Sequence, residues 1–384
     1  MSDLQLRIIQ DELEFKKLKP LWNELLKKSH DNTIFLTWDW VYTWWKYFGH
    51  SDQIHIITVY DGHELISILP TSMKIYDCFF FRIRVLENIC STDTDHGGII
   101  SIRNNDEVYG LILNYFNELI SEKCYLIRFS HVFQNNDLIN ILKLNSTDST
   151  SFKVLKTELT SSPYILLPHN WEIYNKRLSK KKRKNLGWSS RALSKNHEIK
   201  FELYDAPDDK ISETMNLFFK IHKQRWNDKK LTSRFYDNNI VNFYNEITNN
   251  FLNNGWMDIS LLYVDDEAIS IVWAFKYNRV YYYMTPTFDP TKYKKYSVGN
   301  MHLSKLIKTN IENNYIKFDF LKGMEPYKLN WTNDYKTNYQ LTLFSTFWGQ
   351  LRLNVLRIFL FYDLNKHRKI SESFRLLINK IKQG

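Results

Sequence analysis

Cysteine is scarce in this chain of 384 residues. Cys78, Cys90 and Cys124 are all it has, and they stand at no metal-like spacing. An odd, sparse set excludes a disulfide scaffold and a cysteine-ligated zinc site, and it fits a reducing compartment. Glycine and proline are thin as well, at 11 and 8. The chain is therefore built from long elements with few sharp turns. No window reaches the run of about 18 apolar residues that a spanning helix requires. The opening MSDLQLRIIQDELEF mixes charge into its apolar residues and lacks a signal-peptide core. A cytoplasmic protein is expected, with contact at the inner face of a membrane left open. Also missing is any Ser or Cys with an adjacent base, so a covalent intermediate is not indicated.

What the chain has is aromatic and basic. Aromatics make up 16% and hydrophobic residues 43%, enough for a packed core and against global disorder. At roughly 100–200 residues per domain, the length suggests two domains. Lys and Arg exceed Asp and Glu by 52 − 42 = 10. Such a surplus favours phosphates, nucleic acid or acidic lipid as partners, although a solvated lysine-rich surface explains much of it equally well.

In the first half, residues 4–9 alternate as a strand and 12–28 carry a helical spacing of apolar residues. Thr37 is placed to cap a helix whose Trp38, Val41, Trp44, Trp45 and Phe48 form an aromatic stripe, read as a packing surface. Asp61-Gly62 marks a hairpin. The loop 91–98 offers Asp93, Asp95 and His96 as site residues, but its Asx and Gly content reads as a turn. Residues 153–167 give one or two strands, broken at Ser161-Ser162-Pro163. The whole is α/β or α+β, with a boundary near Leu167-Pro168.

The second half opens with 171–197, read as one basic amphipathic helix. Leu178, Leu186 and Leu193 share one face, and Arg177, Lys181, Lys184, Arg191 and Lys195 another. That basic face is either solvated or binds an anion: a phosphorylated substrate, RNA or lipid headgroups. Residues 211–226 form a further helix on which His222 stacks between Phe218 and Trp226, a core histidine or a site residue with Arg225. Residues 351–362 carry a helical stripe beside Arg352, Arg357 and the run 366–369. This tail packs on the domain or lies on a membrane surface.

The chain is organised around residues 279–331. An aromatic strand leads into a loop, a helix opening at Ser297-Val298-Gly299-Asn300-Met301, a second strand ending at Phe320, and a polar turn. Strand, crossover helix and return strand make a βαβ unit. Unpaired amides at a helix start hold phosphate, and ligands in open α/β sheets sit beyond the carboxyl ends of strands. Ser297–Met301 is thus the candidate pyrophosphate turn, and residues 322–328 the candidate border of the reacting groups.

These pieces, taken in order, resemble a known family. They are residues 178–184, Ile221-His222-Lys223-Gln224-Arg225-Trp226, Thr287-Phe288-Asp289-Pro290, Ser297-Val298-Gly299, and residues 318–331 with Lys322-Gly323-Met324-Glu325-Pro326-Tyr327-Lys328. They are similar to the acetyltransferases associated with bacterial cellulose biosynthesis (CelD/BcsL type, BioF-like). That family lies in the GNAT superfamily and is related to Fem-type aminoacyltransferases. Val298 stands where the family usually has proline, and the glycine loop is poorer than in the superfamily.

The resemblance implies two tandem GNAT-like domains, at 1–168 and 169–345, with mixed sheets flanked by helices, and a basic amphipathic helical tail at 346–384. It implies acetyl-CoA or another acyl-CoA as donor, with aminoacyl-tRNA as the Fem-type alternative, and no metal. The donor would lie between splayed strands, against Tyr283, Met284, Ser297, Val298, Gly299, Asn300, Met301 and Lys328. Tyr327 is the candidate acid for the leaving thiolate, and Glu325 or Asp319 the candidate base, with burial to raise its pKa. His222, Arg225, Trp226 and Arg183 are the candidate acceptor-site residues. The acceptor would be a small molecule or a glycan or cell-envelope precursor. A non-catalytic assembly factor at the membrane surface is the third reading, and DNA is not an expected partner.

Overall fold

The structure, a computed structural model, describes residues 3–78, 81–102, 106–123, 126–143 and 152–345. The expected C-terminal helix, within 346–384, lies outside them. The first half comprises β1 (Leu4–Ile9), α1 (Glu12–Lys17), α2 (Lys19–Lys28), α3 (Trp38–Phe48), β2 (Gln53–Ile54), β3 (Ile56–Asp61), β4 (Glu64–Leu69), β5 (Thr71–Cys78), β6 (Phe81–Asn88), β7 (Ile100–Ser101), α4 (Asp106–Lys123), β8 (Leu126–Phe133), α5 (Asp137–Lys143) and β9 (Phe152–Leu166). The second comprises α6 (Trp171–Arg177), α7 (Lys180–Ser194), β10 (Ile199–Tyr204), α8 (Ile211–Asp228), α9 (Asn238–Asn253), β11 (Met257–Val264), β12 (Glu267–Tyr277), β13 (Val280–Phe288), α10 (Val298–Glu312), β14 (Lys317–Asp319), α11 (Pro326–Leu329) and β15 (Tyr335–Ser345).

Three expected elements are divided differently. Residues 12–28 form two helices, parted at Leu18, with proline in the first turn of α2. Residues 171–197 also form two, because Ser179 restarts the helix: its Oγ accepts from the Lys182 amide at 3.2 Å. By contrast, β9 runs unbroken through Ser161-Ser162-Pro163. Pro163, which has no amide hydrogen to give, falls where β9 passes from pairing with β15 to pairing with β14. Asp265-Asp266 joins β11 to β12 with φ of +50° and +62°, the conformation a tight hairpin demands.

Among the described residues the strands form a 4-stranded sheet, β1-β3-β4-β7, and an 11-stranded one, β10-β11-β12-β13-β14-β9-β15-β8-β6-β5-β2. The long sheet contains an exchange. β9, from the first half, pairs with β14 of the second, and β15, the last described strand, pairs with β8 of the first. β9 and β15 then pair with each other along nearly their whole length.

The aromatic stripe of α3 is a packing surface. Thr37 caps the helix by accepting from the Trp40 amide at 3.3 Å. Trp40 meets Phe243 of α9 and Phe275 of β12 edge-on, at 5.4 and 5.6 Å. Trp38, Val41, Trp44 and Trp45 of the stripe are buried as well, Trp38 stacking on Tyr42 within the first half. Truncating Trp40 to alanine would cost about 3–5 kcal/mol in this setting.

Candidate active site

The site begins where two parallel strands part. β13 and β14 share three pairs, Val280↔Lys317, Tyr281↔Phe318 and Tyr282↔Asp319. β14 then ends, while β13 continues to Phe288 against β12 alone. At the parting point Tyr283 and Met284 together oppose Ala274, since the register slips by one between Trp273 and Phe275. Such a bulge bends the strand and re-aims its side chains.

A cleft of about 340 Å³ fills the gap. Tyr283, Pro286, Phe288, Asp289, Ser297, Val298, Gly299, Asn300, Arg225 and Tyr327 are among the residues that line it. So the fold gathers most of the predicted turn, one predicted acceptor-site residue and the predicted acid around one space. Ser297 precedes α10 with φ of +50°, a conformation that glycine adopts more freely, and its side chain makes no cap bond. The Asn300 and Met301 amides donate to the Ser297 carbonyl, at 2.8 and 3.2 Å, while no side chain caps the amides that lead α10. Gly299 serves a close approach instead: a Cβ there would stand 3.1 Å from the Phe288 ring. Buried His302 fixes α10 against the sheet, bonding Ser270 Oγ at 2.9 Å and Ser260 Oγ at 3.1 Å. Burial pulls its pKa down to about 3.

Lys182 reaches this turn from α7. Its Nζ donates to Asn300 Oδ1 at 2.7 Å and lies 4.0 Å over the Trp331 ring. Burial lowers its pKa to about 8. The resemblance pointed to Arg183 in this segment, whereas Lys182 is the residue that reaches the turn. Lys182 stands one turn from Leu178 and Leu186, on the face of the segment that turns inward. Arg183 instead turns back onto the carbonyls of Lys176 and Leu178, closing the end of α6.

Arg225 forms the opposite wall. One guanidinium nitrogen donates to the Pro286 carbonyl at 2.8 Å, and the group lies 4.1 Å over the Phe288 ring. Its Nε is buried without a partner. Tyr327, the second residue of α11, faces it. Burial, reinforced by Glu325, raises the Tyr327 pKa, with Arg225 opposing. The hydroxyl therefore stays protonated at neutral pH.

Several predicted residues lie elsewhere. Asp319 is spent on a buried ion pair with Lys317 at 2.6 Å, with His96 at 3.6 Å and the Leu321 amide at 2.9 Å. Burial alone would raise its pKa, but Lys317 and His96 outweigh it, so the carboxyl sits below the usual range. Such pairing suits a structural carboxylate better than a proton acceptor. Lys328 is buried too, donating to the carbonyls of Leu321, Lys322 and Gly323 and pairing with Glu325 at 2.9 Å. It knots the turn together and faces no open space. Glu325 is half-exposed beside it. His222 bonds Ser233 Oγ at 2.9 Å and stacks on Trp226 at 5.5 Å, with its pKa drawn down to about 4 by burial. Met284 and Met301 pack against neighbouring apolar clusters.

The loop 91–98 acts as a strut. Asp93 accepts from Trp44 and from Arg234, at 2.9 and 2.8 Å. Asp95 accepts from the Lys322 amide at 3.0 Å, and Lys322 Nζ donates to the carbonyls of Thr92 and Thr94. The loop so holds the turn that follows β14.

Residues 180–329 match the acetyltransferase (GNAT) domain family. This chain has a GNAT-type acyltransferase fold. The crystal structure of FemX is similar at TM-score 0.61 and 11% identity, over 91% of this chain and 99% of that one. A conserved protein of unknown function from Bacteroides thetaiotaomicron gives 0.55 at 10%, over 88% and 100%. L-PGS from Bacillus licheniformis gives 0.54 at 10%, over 90% and 96%. No curated protein matches in sequence. No described helix is long and apolar enough to cross a membrane.

Proposed function

We propose that the chain transfers an acyl group from acyl-CoA to an amine or hydroxyl of a polysaccharide or cell-envelope precursor. One observation carries the reading: β13 and β14 part over an uncapped helix start. That leaves a slot with amides and Lys182 for phosphate at one end and Tyr327 and Arg225 at the other. A donor with an anionic head, an extended arm and a thioester fits that order of groups. The acceptor's nitrogen or oxygen attacks the thioester carbonyl, the C–S bond breaks, and sulfur leaves with a proton from Tyr327. Glu325, the neighbour that presses on the Tyr327 hydroxyl, takes the acceptor's proton. Arg225, whose Nε is buried without a partner, would meet the developing oxyanion. The cellulose-associated branch, the two domains at 1–168 and 169–345, and a cytoplasmic location are part of this reading.

The test is a thermal-shift screen of acyl-CoAs, followed by turnover of Tyr327→Phe. A native-state ligand at a hundred times its Kd adds about 2.7 kcal/mol, a shift of several degrees. Tyr327→Phe should keep that shift and lower kcat by roughly a hundredfold. Absence of any shift rules against acyl-CoA and leaves the aminoacyl-tRNA donor or the non-catalytic alternative.

One observation favours a second donor, aminoacyl-tRNA. Lys176, Arg177, Lys180, Lys181, Lys184, Arg191 and Lys195 are exposed along α6 and α7, and none forms an ion pair among the described residues. Trp188, 50% exposed, stands among them. tRNA binding that falls steeply with salt would select this donor.

A further inference from the structure

Tryptophan is highly buried on average in folded chains. Among the described residues here, only Trp188 is an exposed tryptophan, at 50%. It stands on α7 and stacks on Tyr296, with ring centroids 5.9 Å apart and planes 28° from parallel. Tyr296 is a firm base. It is 7% exposed and clusters with Leu193, Leu262, Val264, Ile269 and Val298. Tyr296 therefore supports one side of the indole, while half of the Trp188 surface stays open to solvent.

This stack lies on the rim of the cleft. Lys182 and Trp188 stand less than two turns apart on α7, about 9 Å along its axis. Lys182 meets Asn300 in the first turn of α10, and Trp188 meets Tyr296, just ahead of Ser297. The helix so carries the rim outward from the candidate phosphate turn. Cations gather there. Lys294 lines the cleft, is exposed and forms no ion pair among the described residues, whereas nearby Lys292 is held by Glu267. Lys295 Nζ lies 4.8 Å over the Tyr296 ring. Arg191 folds back along α7: a Cβ on Gly187, the residue before Trp188, would stand 3.1 Å from its Nη1.

We infer, on the reading that acyl-CoA is the donor, that Trp188 backed by Tyr296 is the platform on which the donor's adenine stacks, with Lys294, Lys295 and Arg191 about the phosphate on its ribose. In CoA a pyrophosphate joins the thioester arm to adenosine 3′-phosphate. With the pyrophosphate at the start of α10 and the thioester toward Tyr327, the nucleoside leaves on the other side, along α7. Every base has a π-face, so an aromatic ring alone suffices to seat it. Ammonium and guanidinium groups supply the counter-charge of a phosphate. Aminoacyl-tRNA differs in this respect. Its terminal adenosine carries the acyl group on its own ribose, so that base stays beside the reacting carbonyl. The platform is thus a specificity device for CoA.

Calorimetry on the full chain compares acetyl-CoA, its 3′-dephospho form and acetyl-phosphopantetheine, which lacks the nucleoside. The parent should bind acetyl-CoA about tenfold or more tightly than acetyl-phosphopantetheine, and a few-fold more tightly than the dephospho form. Trp188→Ala, at an exposed position that leaves the core intact, should weaken acetyl-CoA about tenfold, the scale of one lost base–aromatic stack, and bind acetyl-phosphopantetheine as the parent does. Trp188→Phe should recover most of the loss. The platform is overturned, with the acyl-CoA reading intact, if Trp188→Ala binds acetyl-CoA as the parent does, if it loses both donors alike, or if the parent ignores the 3′-phosphate. If the parent binds no acyl donor, that reading fails and the platform falls with it.

Discussion

The two halves carry the same βαβ unit with opposite outcomes. In the first half β6, α4 and β8 repeat the plan of β13, α10 and β14, down to three parallel pairs before the strands part. The last pair is Glu87↔Arg128 in one and Tyr282↔Asp319 in the other. Beyond it the first half is sealed. Asn88 Oδ1 accepts from the Ser130 amide at 2.8 Å, and the Gly97 amide donates to the His131 carbonyl at 2.9 Å. Gly97 permits that contact: a Cβ would stand 2.5 Å from the Ser130 carbonyl oxygen. Glu87 fills the parting point with Arg128 and with Lys74 at 2.6 Å. The helix starts differ as well. α4 opens on Asp106 and Glu107, which occupy the electrostatic place of an anion, while α10 has no acid in its first turn and has Lys182 above it. In this chain, then, one unit has parting strands that stay apart and a helix start free of carboxylates, and the other has neither; the proposed donor slot rests on that difference.

Glu87→Gln probes the sealed half most harshly. It strips Arg128 and Lys74 of their shared carboxylate and should cost about 3–5 kcal/mol in urea unfolding, with donor affinity of the folded protein unchanged. Altered affinity would mean that the sealed half takes part in binding. Gly299→Asp probes the open half. A side chain crowding Phe288 and a charge at the mouth of α10 should weaken acyl-CoA on the order of a hundredfold or more by calorimetry. Parent protein should bind one donor per chain, and two would break the comparison. The smallest effect is at Lys182. Its ammonium attracts phosphate only while protonated, so affinity should fall as pH climbs through about 8. Lys182→Met should bind about tenfold more weakly, roughly 1.4 kcal/mol, and lose that pH dependence.

The open unit was legible because its determinants are local. The aromatic run of β13, the Ser297-Val298-Gly299 turn and the periodicity of α10 each declare themselves within about fifteen residues. Thr37 and the tryptophans of α3 did the same. Lys182 stands out only through Asn300, which α10 brings to it from more than a hundred residues away. The partners of Asp319, Lys317 and His96, could not be read locally, because they converge from both halves. Pro163 looked like an interruption, since nothing nearby reveals that β9 changes partners there. Sequence patterns report what a segment favours alone, and these three depend on what arrives from elsewhere in the chain.

The exchange of β9 and β15 has a consequence for how the molecule is made. Leu343 pairs with Ile127 and with Val154, across intervals of roughly two hundred residues. During synthesis the first half waits with one edge of β8 unsatisfied until the chain has grown as far as Ser345. An unpaired edge invites wrong partners, so the slowest and most vulnerable moment for this protein is the interval before its last described strand arrives.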